Sequence, residues 1–300
     1  MTATLAFHTL DVFTDTPYSG NPLAVVRDAG HLTTAQMQTI AREFNLSETI
    51  FVMPPRDPAH TARVRIFFPT AEIPFAGHPT VGCAIHLATE AHRGDFTTRI
   101  TLEEEAGLVP VTVTRQGETV RAEFTAPVIP YSTGSAPRDL AASALDLPPE
   151  ALAPHALRAL KGGPAFLFIG ITDLAALAHA RPIEPHWSAL MAVAGVDGAF
   201  LYTPGDGVDY RTRMFSPTAG IPEDPATGSA SAIFAGQLLA EGALTEGETR
   251  LTLRQGVEMG RPSDIWLTAV VTNGALSEIR IKGGAVPVSS GHLTPPPAQM

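Results

Sequence analysis

Three ionisable side chains stand where they could move protons, and Glu48 is the first of them. It lies in the segment Leu46-Ser-Glu-Thr-Ile-Phe-Val52, between the end of a helical pattern and an apolar strand. A carboxyl group in a mostly dry pocket can act as both acid and base, because burial disfavours its charged form. The alternative is that Glu48 faces solvent or caps a turn, and the residues alone leave both interpretations open.

His78 and Asp224 each stand at the start of a helical pattern. The dipole at a helix N-terminus disfavours an imidazolium, so His78 could donate or accept a proton as a neutral ring. Asp224 occupies the matching entry of a later helix, where a carboxylate is electrostatically favoured. Each also has a structural alternative, which is turn hydrogen bonding for His78 and a plain N-cap for Asp224.

An internal repeat relates these two helix starts. The segment Arg65-Ile-Phe-Phe-Pro-Thr-Ala-Glu-Ile-Pro74 recurs as Arg213-Met-Phe-Ser-Pro-Thr-Ala-Gly-Ile-Pro222, with seven of ten positions identical at an offset of 148. The repeat indicates gene duplication. Free backbone N–H groups at a helix start favour an anion, so we expect the two starts to face each other across a cleft and bind a small carboxylate. Ordinary capped turns are the alternative. The candidate binding residues at these starts are Gly77, Pro79, Thr80, Thr227, Gly228 and Ser229.

The elements that must position these residues are mostly short strands rich in Val, Ile, Phe and Thr. A capping-box spacing, Thr33-x-x-Gln36, opens a helix over 33–44. Helical patterns over 79–91 and 226–240 are apolar almost all round, which is typical of buried helices. We therefore predict an α+β protein of two similar domains related by a pseudo-twofold axis, each a mostly antiparallel sheet or barrel wrapped around a central buried helix.

The predicted domain boundaries follow the repeat and the composition. The first domain covers residues 1–125 and carries Glu48 and His78. The second covers 126–288 and carries Asp224 and Gly228, with its last strand either kept there or returned to the first domain. The Pro-rich end, 289–300, is predicted to be a frayed tail.

Composition excludes several classes of protein. The net charge of -10, without any basic block, argues against nucleic-acid or anionic-membrane partners. No apolar run reaches the roughly 18 residues of a membrane span, and no signal-peptide pattern opens the chain, so a cytoplasmic location is expected. The single cysteine, Cys83, allows neither an intrachain disulfide nor a thiolate metal cluster.

Motifs for metals, cofactors and hydrolases are also lacking. The ten histidines include no H-x-x-x-H or H-E-x-x-H pair, so no metal site is predicted. The run Gly256-x-x-Met-Gly-Arg261 lacks the G-x-G-x-x-G spacing, and no cofactor is predicted. Ser229 lacks the second glycine of a G-x-S-x-G elbow, which argues against a serine hydrolase.

A set of motifs in a fixed order resembles the phenazine-biosynthesis PhzF-like family, within the diaminopimelate epimerase-like superfamily. The motifs are Asp11-Val-Phe-Thr, Gly20-Asn-Pro-Leu-Ala-Val-Val26, Asn45-Leu-Ser-Glu-Thr-Ile-Phe-Val52, Ala76-Gly-His-Pro-Thr80, Glu223-Asp-Pro-Ala-Thr-Gly-Ser-Ala230, Gln255-Gly256, Met259-Gly-Arg-Pro-Ser263 and Gly283-Gly284. The resemblance implies two α+β domains, a homodimer, and isomerisation by proton transfer without cofactor or metal.

The resemblance also implies roles for individual residues. Glu48 resembles the acid/base carboxylate of the family, and His78 and Asp224 resemble its polar partners. Gly77, Gly228 and Ser229 resemble the residues that hold the substrate. The remaining residues of the predicted binding set are Asn21, Ser47, Pro79, Thr80 and Thr227.

One departure separates this chain from the amino-acid epimerases of the superfamily, which carry a catalytic cysteine near each helix start. The comparable places here hold Ala76 and Thr227, so a two-thiol racemase is not expected. The sequence predicts a cofactor-independent isomerase that moves a proton within a small carboxylate-bearing metabolite, with its site in the cleft between the domains. A non-thiol epimerase or racemase and a non-catalytic small-ligand binding protein are the alternatives. The substrate itself is not predicted.

Overall fold

The computed structural model of the protein describes residues 4–297. Contacts divide the chain into two units. Unit 1 comprises Met1–Thr125 and Lys282–Met300, and unit 2 comprises Ala126–Ile281. Unit 2 is therefore inserted, in sequence, between the two segments of unit 1.

Unit 1 is a sheet with one long internal helix. Its elements are β1 (Leu5–Val12), β2 (Asn21–Val26), α1 (Thr34–Phe44), β3 (Glu48–Met53), β4 (Ala62–Phe67), β5 (Glu72–Ile73), α2 (Gly77–Ala91), β6 (Phe96–Glu104), β7 (Gly107–Gln116), β8 (Thr119–Thr125) and β18 (Ala285–Leu293). Helix α1 opens with the predicted capping box, in which Thr33 and Gln36 exchange side-chain-to-backbone hydrogen bonds. Helix α2 is buried nearly all round and packs on β1, β2, β6, β7 and β8, so it forms the centre of the core.

Unit 2 repeats this plan with additional short helices. Its elements are β9 (Tyr131–Ser135), α3 (Arg138–Ala144), β10 (Arg158–Lys161), β11 (Ala165–Gly170), α4 (Leu174–His179), α5 (His186–Ala194), β12 (Ala199–Pro204), β13 (Tyr210–Ser216), β14 (Ile221–Asp224), α6 (Gly228–Ala240), β15 (Gly247–Gln255), β16 (Ser263–Thr272) and β17 (Ala275–Gly283), which crosses the boundary. Helix α6 is its buried central helix and packs on β10, β11 and β16.

Strand pairing shows the duplication directly. In unit 1, β1–β2 is antiparallel, β2–β3 parallel, β3–β4 and β4–β5 antiparallel, β4–β6 parallel and β6–β7 antiparallel. In unit 2 the same order of pairings joins β10, β11, β12, β13, β14, β15 and β16. The predicted fold class, mostly antiparallel sheet around a buried helix in each half, is confirmed.

The end of the chain corrects one prediction. Residues 289–293 are not frayed, because they belong to β18, which pairs antiparallel with β1 from Leu5↔Leu293 to Val12↔Ala285. β18 returns to unit 1, which was one of the two placements left open. The backbone of β1 supplies the partner groups that stabilise this strand, and a Ser- and Gly-containing sequence does not reveal that partner. Residues 298–300 lie outside the described part of the chain.

Candidate active site

Glu48 is the first residue of β3, and every residue of that strand is buried. Helix α1 ends at Phe44, and Asn45 in a left-handed conformation turns the chain so that Glu48 can enter the sheet beside Leu23 of β2. The Glu48 side chain is only 9% exposed. A glutamate is rarely buried to this extent unless it is paired or has a functional role. The strand therefore holds a carboxyl group in a nearly dry environment, which is the first of the two interpretations that the residues left open.

His78, the second residue of α2, lies beside that carboxyl group. Its Nε2 lies 3.3 Å from Oε2 of Glu48, and its side chain is 3% exposed. Burial lowers the pKa of His78 to about 3, and a hydrogen bond to the backbone of Pro22 only partly opposes this shift. Since proline offers only a carbonyl, the imidazole must be the donor in that bond.

The tautomer of His78 follows from these contacts. Nε2 makes no hydrogen bond within the described residues, so Nδ1 carries the proton that is donated to Pro22. The distance between Nε2 and Glu48 would suit an ion pair, but the alignment is not that of a hydrogen bond, and the low pKa favours a neutral ring. Nε2 is therefore the unprotonated ring nitrogen, and it lies 3.3 Å from Oε2 of Glu48.

The other predicted residues of unit 1 lie on the same elements. Asn21 is fully buried at the first position of β2, where it pairs with Val12 of β1. Ser47 directly precedes Glu48 and is half-buried, and Gly77 and Pro79 flank His78 in the buried first turn of α2. The structure therefore brings Glu48 and His78 together. Ser47 is the chain neighbour of Glu48, Gly77 and Pro79 are those of His78, and Asn21 precedes Pro22, the hydrogen-bond partner of His78.

Thr80 differs from this group in its contacts. Its side chain is fully buried, and its hydroxyl lies 2.7 Å both from the Ala76 carbonyl and from Oε1 of Glu104. The hydroxyl is therefore engaged inside the protein, and its predicted contact with substrate stays a prediction. Burial raises the pKa of Glu104 to about 8, which makes this side chain a neutral acid at physiological pH. Sequence reasoning did not identify Glu104, because it ends an alternating strand in a run of three glutamates.

In unit 2 the predicted residues gather at the start of α6. Asp224 ends β14 and is buried, Thr227 is the N-cap residue, and Gly228 and Ser229 form the first turn, with Ser229 partly exposed. Oγ1 of Thr227 donates to Oδ2 of Asp224 at 2.5 Å. Helix starts of this kind leave backbone N–H groups available for an anion.

The Glu48 and His78 pair has no counterpart at the equivalent positions of the second repeat. Phe51 pairs with Arg65 in unit 1, and Leu201 pairs with Arg213 in unit 2. Because the two arginines are aligned in the repeat, Gly198 stands at the position equivalent to Glu48. Counting from the first residue of each central helix, Ser229 stands at the position of His78. Unit 1 carries the candidate proton-transfer pair, whereas unit 2 carries the carboxylate of Asp224 and small polar groups.

Thiol chemistry is disfavoured by the environment of Cys83. The residue is fully buried within α2, and burial raises the pKa of its thiol to about 12. A thiolate is the reactive form, so this cysteine cannot serve as a base near neutral pH.

One histidine cluster was not anticipated, because its members are far apart in sequence. His8 of β1 and His86 and Glu90 of α2 place ligand-type atoms within 4.8 Å of one another. The guanidinium of Arg27, however, hydrogen-bonds to Glu90 and approaches Nε2 of His86 at 3.4 Å. An arginine already fills the position that a cation would take, so we assign this cluster to an ion-pair network.

Comparison with known proteins places this arrangement in a family. The family model described as phenazine biosynthesis-like protein matches residues 10–291. An uncharacterized isomerase of Mesorhizobium japonicum is 42% identical, covering 94% of this chain and 96% of its own. The trans-2,3-dihydro-3-hydroxyanthranilate isomerase of Pseudomonas aeruginosa is 36% identical, covering 94% and 97%.

A solved structure supports the same assignment of the fold. The Bacillus anthracis phenazine biosynthesis protein of the PhzF family superposes with a TM-score of 0.86 at 23% identity, covering 97% of this chain and 99% of that one. Among residues 4–297, no helix is both long enough and apolar enough to cross a bilayer. The chain therefore belongs to the phenazine biosynthesis-like family, and it is an isomerase of the PhzF-like type.

Proposed function

We propose that this isomerase moves a proton between two carbons of a small carboxylate-bearing metabolite, without a cofactor, and that Glu48 carries the proton. The observation that supports this most directly is the buried Glu48 carboxyl group lying 3.3 Å from a neutral His78. A general acid/base must be close to a second polar group and shielded from water, and Glu48 meets both conditions.

The proposed step conserves all atoms. The Glu48 carboxylate removes a proton from an sp³ carbon, and the C–H electron pair becomes part of a double bond conjugated with the existing one. A rotation of the newly formed carboxylic acid then lets Nε2 of His78 accept its hydrogen bond, which stabilises the proton on Glu48. Return of the same proton to a different carbon moves the double bond and regenerates the carboxylate.

Unit 2 is proposed to bind the same substrate molecule without exchanging its proton. The N–H groups at the start of α6, together with the Ser229 hydroxyl, would donate hydrogen bonds to the substrate carboxylate. The N–H groups at the start of α2, near Gly77, would donate further hydrogen bonds to the substrate. The carboxylate of Asp224 would fix a hydroxyl or amino group of the substrate. The homodimer and the cytoplasmic location implied by the sequence also stay proposals, and light scattering of the purified protein measures the first.

Trans-2,3-dihydro-3-hydroxyanthranilate is the substrate to try first, because a 36% identical relative is named for its isomerisation. The assay follows deuterium uptake and double-bond position by NMR in D₂O. We expect Glu48→Gln to lower kcat by roughly 10²- to 10⁴-fold, the usual contribution of a general acid/base, because the amide cannot accept the proton. Glu43→Gln, an exposed change on α1, is the matched control and should leave kcat unchanged.

The outcomes separate the alternatives. A shifted double bond supports the proposal, and the deuterium content of the new position measures how far the proton on Glu48 exchanges with solvent before its return; inversion at one carbon indicates an epimerase. If Glu48→Gln retains at least a third of the wild-type kcat, Glu48 is not the proton carrier. Binding of the compound with neither a double-bond shift nor exchange in the wild type would indicate that this compound is a ligand and not a substrate.

A further inference from the structure

The turn that leads from β14 into α6 is held by a buried amide from a distant strand. Gln255, the last residue of β15, is fully buried, and its Nε2 donates to the Asp224 carbonyl at 2.7 Å and to Oγ1 of Thr227 at 2.9 Å. Its Oε1 accepts from the backbone N–H of Thr227 at 3.3 Å. Three hydrogen bonds from one side chain therefore span the turn between Asp224 and α6.

These contacts fix the direction of every hydrogen bond in the turn. The amide nitrogen must face the Asp224 carbonyl and the amide oxygen must face a backbone N–H, so the Gln255 amide has only one satisfactory orientation. Oγ1 of Thr227 consequently accepts a hydrogen from Gln255 and directs its own hydrogen to Oδ2 of Asp224, 2.5 Å away. The hydroxyl has one proton, and that proton is already used.

The backbone after Gln255 is shaped for this close approach. Gly256 has a φ of 75°, and a Cβ there would lie 2.6 Å from the Pro225 carbonyl oxygen. Only glycine fits this position without displacing the turn. The Gln255-Gly256 pair thus combines a side chain that holds the turn with a residue that lets the strand reach it.

Unit 1 offers an internal comparison at the same position. Glu104 ends β6 as Gln255 ends β15, since the parallel pairings Ala62↔Leu102 and Tyr210↔Leu253 are equivalent. Glu104 also supports the start of its central helix, but it bonds to Thr80 inside the helix. The residue equivalent to Thr227 is Ala76, which has no hydroxyl, so the contact to a carboxylate exists only in unit 2.

From this arrangement we infer that Thr227 and Gln255 are positioning residues for Asp224, and that Thr227 is not a substrate contact. The inference rests on the proposed function, in which Asp224 fixes a polar group of the substrate. The hydroxyl of Thr227 restrains the orientation of the Asp224 carboxylate and stabilises charge on Oδ2, and Gln255 keeps that hydroxyl pointing toward Asp224. A position at which thiol-dependent relatives are expected to carry a base thus serves here to hold a carboxylate in place.

The first test requires no substrate. Crystal structures of the wild type and of Thr227→Val are compared, since valine keeps the shape and removes the hydroxyl. We expect the Asp224 carboxylate to rotate away from its wild-type position in Thr227→Val and to keep that position in Thr227→Ser. An unmoved carboxylate in a folded Thr227→Val protein would overturn the inference, whatever the activity of the enzyme.

The second test is a double-mutant cycle with trans-2,3-dihydro-3-hydroxyanthranilate as the probe. Thr227→Val should lower kcat/KM by roughly ten- to a hundredfold, the scale of losing one preorganised hydrogen bond, and Thr227→Ser should restore most of it. In an Asp224→Asn background the same change should have little further effect, because Thr227 acts through that carboxylate. Thr212→Val is the matched control, as Thr212 is fully buried and its hydroxyl has no hydrogen-bond partner among the described residues.

The failures are distinguishable. If Asp224→Asn leaves activity unchanged, the proposed role of Asp224 is wrong, while the crystallographic comparison still decides whether Thr227 positions it. If the losses from Thr227→Val and Asp224→Asn multiply independently, Thr227 touches the substrate itself and the inference is overturned. Thermal unfolding of each variant separates a loss of folded protein from a loss of function.

Discussion

At the scale of single residues, the two repeats share the same order of strand pairings but differ in the side chains that could transfer a proton. Glu48 corresponds to Gly198, and His78 corresponds to Ser229. Unit 1 therefore holds a carboxyl group beside an imidazole, and unit 2 has neither group at the equivalent positions. One carboxylate that both removes and returns a proton suits an isomerase, whereas racemases with two opposed bases need a proton-transfer group in each half.

Glu104 leads to a prediction about stability and pH. Its pKa is raised to about 8 by burial, from an ordinary value of 4.5. Between these two values the folded protein keeps a proton that the unfolded chain has lost, so stability falls as pH rises from about 4.5 to about 8. Glu104→Gln keeps the acceptor for Thr80 and cannot ionise, so it should remove this loss.

Urea unfolding at pH 5 and pH 8 measures the effect. We expect Glu104→Gln to gain roughly 2 to 4 kcal/mol relative to wild type on going from pH 5 to pH 8, as a shift of one pKa unit corresponds to about 1.4 kcal/mol. Glu105→Gln, the adjacent exposed residue, serves as the control. Parallel pH dependence in wild type and Glu104→Gln would show that Glu104 is ionised in the folded state.

The candidate site residues were predicted from the sequence where a motif carried the signal. Glu48 was identified through its resemblance to a known motif, because an isolated glutamate at the start of a strand has no periodicity that reveals burial. Gln255 appeared only as part of a motif, without a role. Its role depends on which turn lies against the end of β15, and that contact joins residues 31 and 28 positions apart.

At the scale of elements, each central helix is preceded by a pair of strands that are joined by a salt bridge between an arginine and a glutamate. Arg65 of β4 bonds to both carboxylate oxygens of Glu72, at 2.6 and 2.5 Å. Arg213 of β13 does the same with Glu223, at 2.8 Å each. In the sequence repeat Glu72 is aligned with Gly220, and Glu223 stands three residues later. Both repeats therefore have the salt bridge, although the glutamate occupies a different position in each.

Arg213 should contribute strongly to the stability of unit 2. Its side chain is 8% exposed, and Nη1 also donates to the carbonyls of Leu177 and Ala180 at 2.9 and 2.8 Å. Arg213→Met leaves a partly buried Glu223 and two carbonyls without this donor, and removing one partner of a buried pair costs roughly 3 to 5 kcal/mol. Chemical denaturation monitored by circular dichroism measures the loss.

The matched change is Arg181→Met, which removes an arginine that also bonds to a single carboxylate, that of Asp146. Both of those side chains are largely exposed, so the loss should stay within about 1 kcal/mol. Equal losses in the free energy of unfolding from the two substitutions would show that burial does not strengthen the interactions of Arg213.

The elements themselves were predictable in proportion to their length and apolar content. The helices that became α1, α2 and α6 were predicted within two residues of their ends, because caps or continuous apolar faces marked them. The helices α4 and α5 were missed. They span six and nine residues, too few turns to establish a helical period, and α5 is stabilised by packing on α3.

At the scale of the whole molecule, the chain leaves unit 1 after Thr125 and re-enters it at Lys282. Strand β18 then pairs with β1, which joins residues about 280 positions apart, as in the hydrogen bond between Thr9 and Ser289. The backbone N–H of Ala126 donates to the Ile279 carbonyl at 2.8 Å, so the two ends of unit 2 meet. Termini that lie close together are typical of a segment that folds as an inserted domain.

This topology predicts which fragments fold. Unit 2 expressed as residues 126–281 should give a cooperative urea transition. Residues 1–125 should not, because β1 loses the strand that covers one of its edges. Since Leu293 lies opposite Leu5, a short Gly/Ser linker can join residue 297 to residue 4, and a chain running 282–297, linker, 4–125 would contain every strand of unit 1 without unit 2.

We expect the rejoined chain to recover a cooperative transition and the environment of His78, whose imidazole signals in NMR should show no protonation above about pH 4, since its pKa is about 3. The comparison with residues 1–125 isolates the contribution of β18, because both chains lack unit 2 in the same way. Cooperative folding of residues 1–125 alone would mean that β18 is dispensable for the Glu48 and His78 pair. A disordered rejoined chain would mean that unit 1 needs unit 2 to fold, and the pairing of β1 with β18 would then be a consequence of the complete molecule.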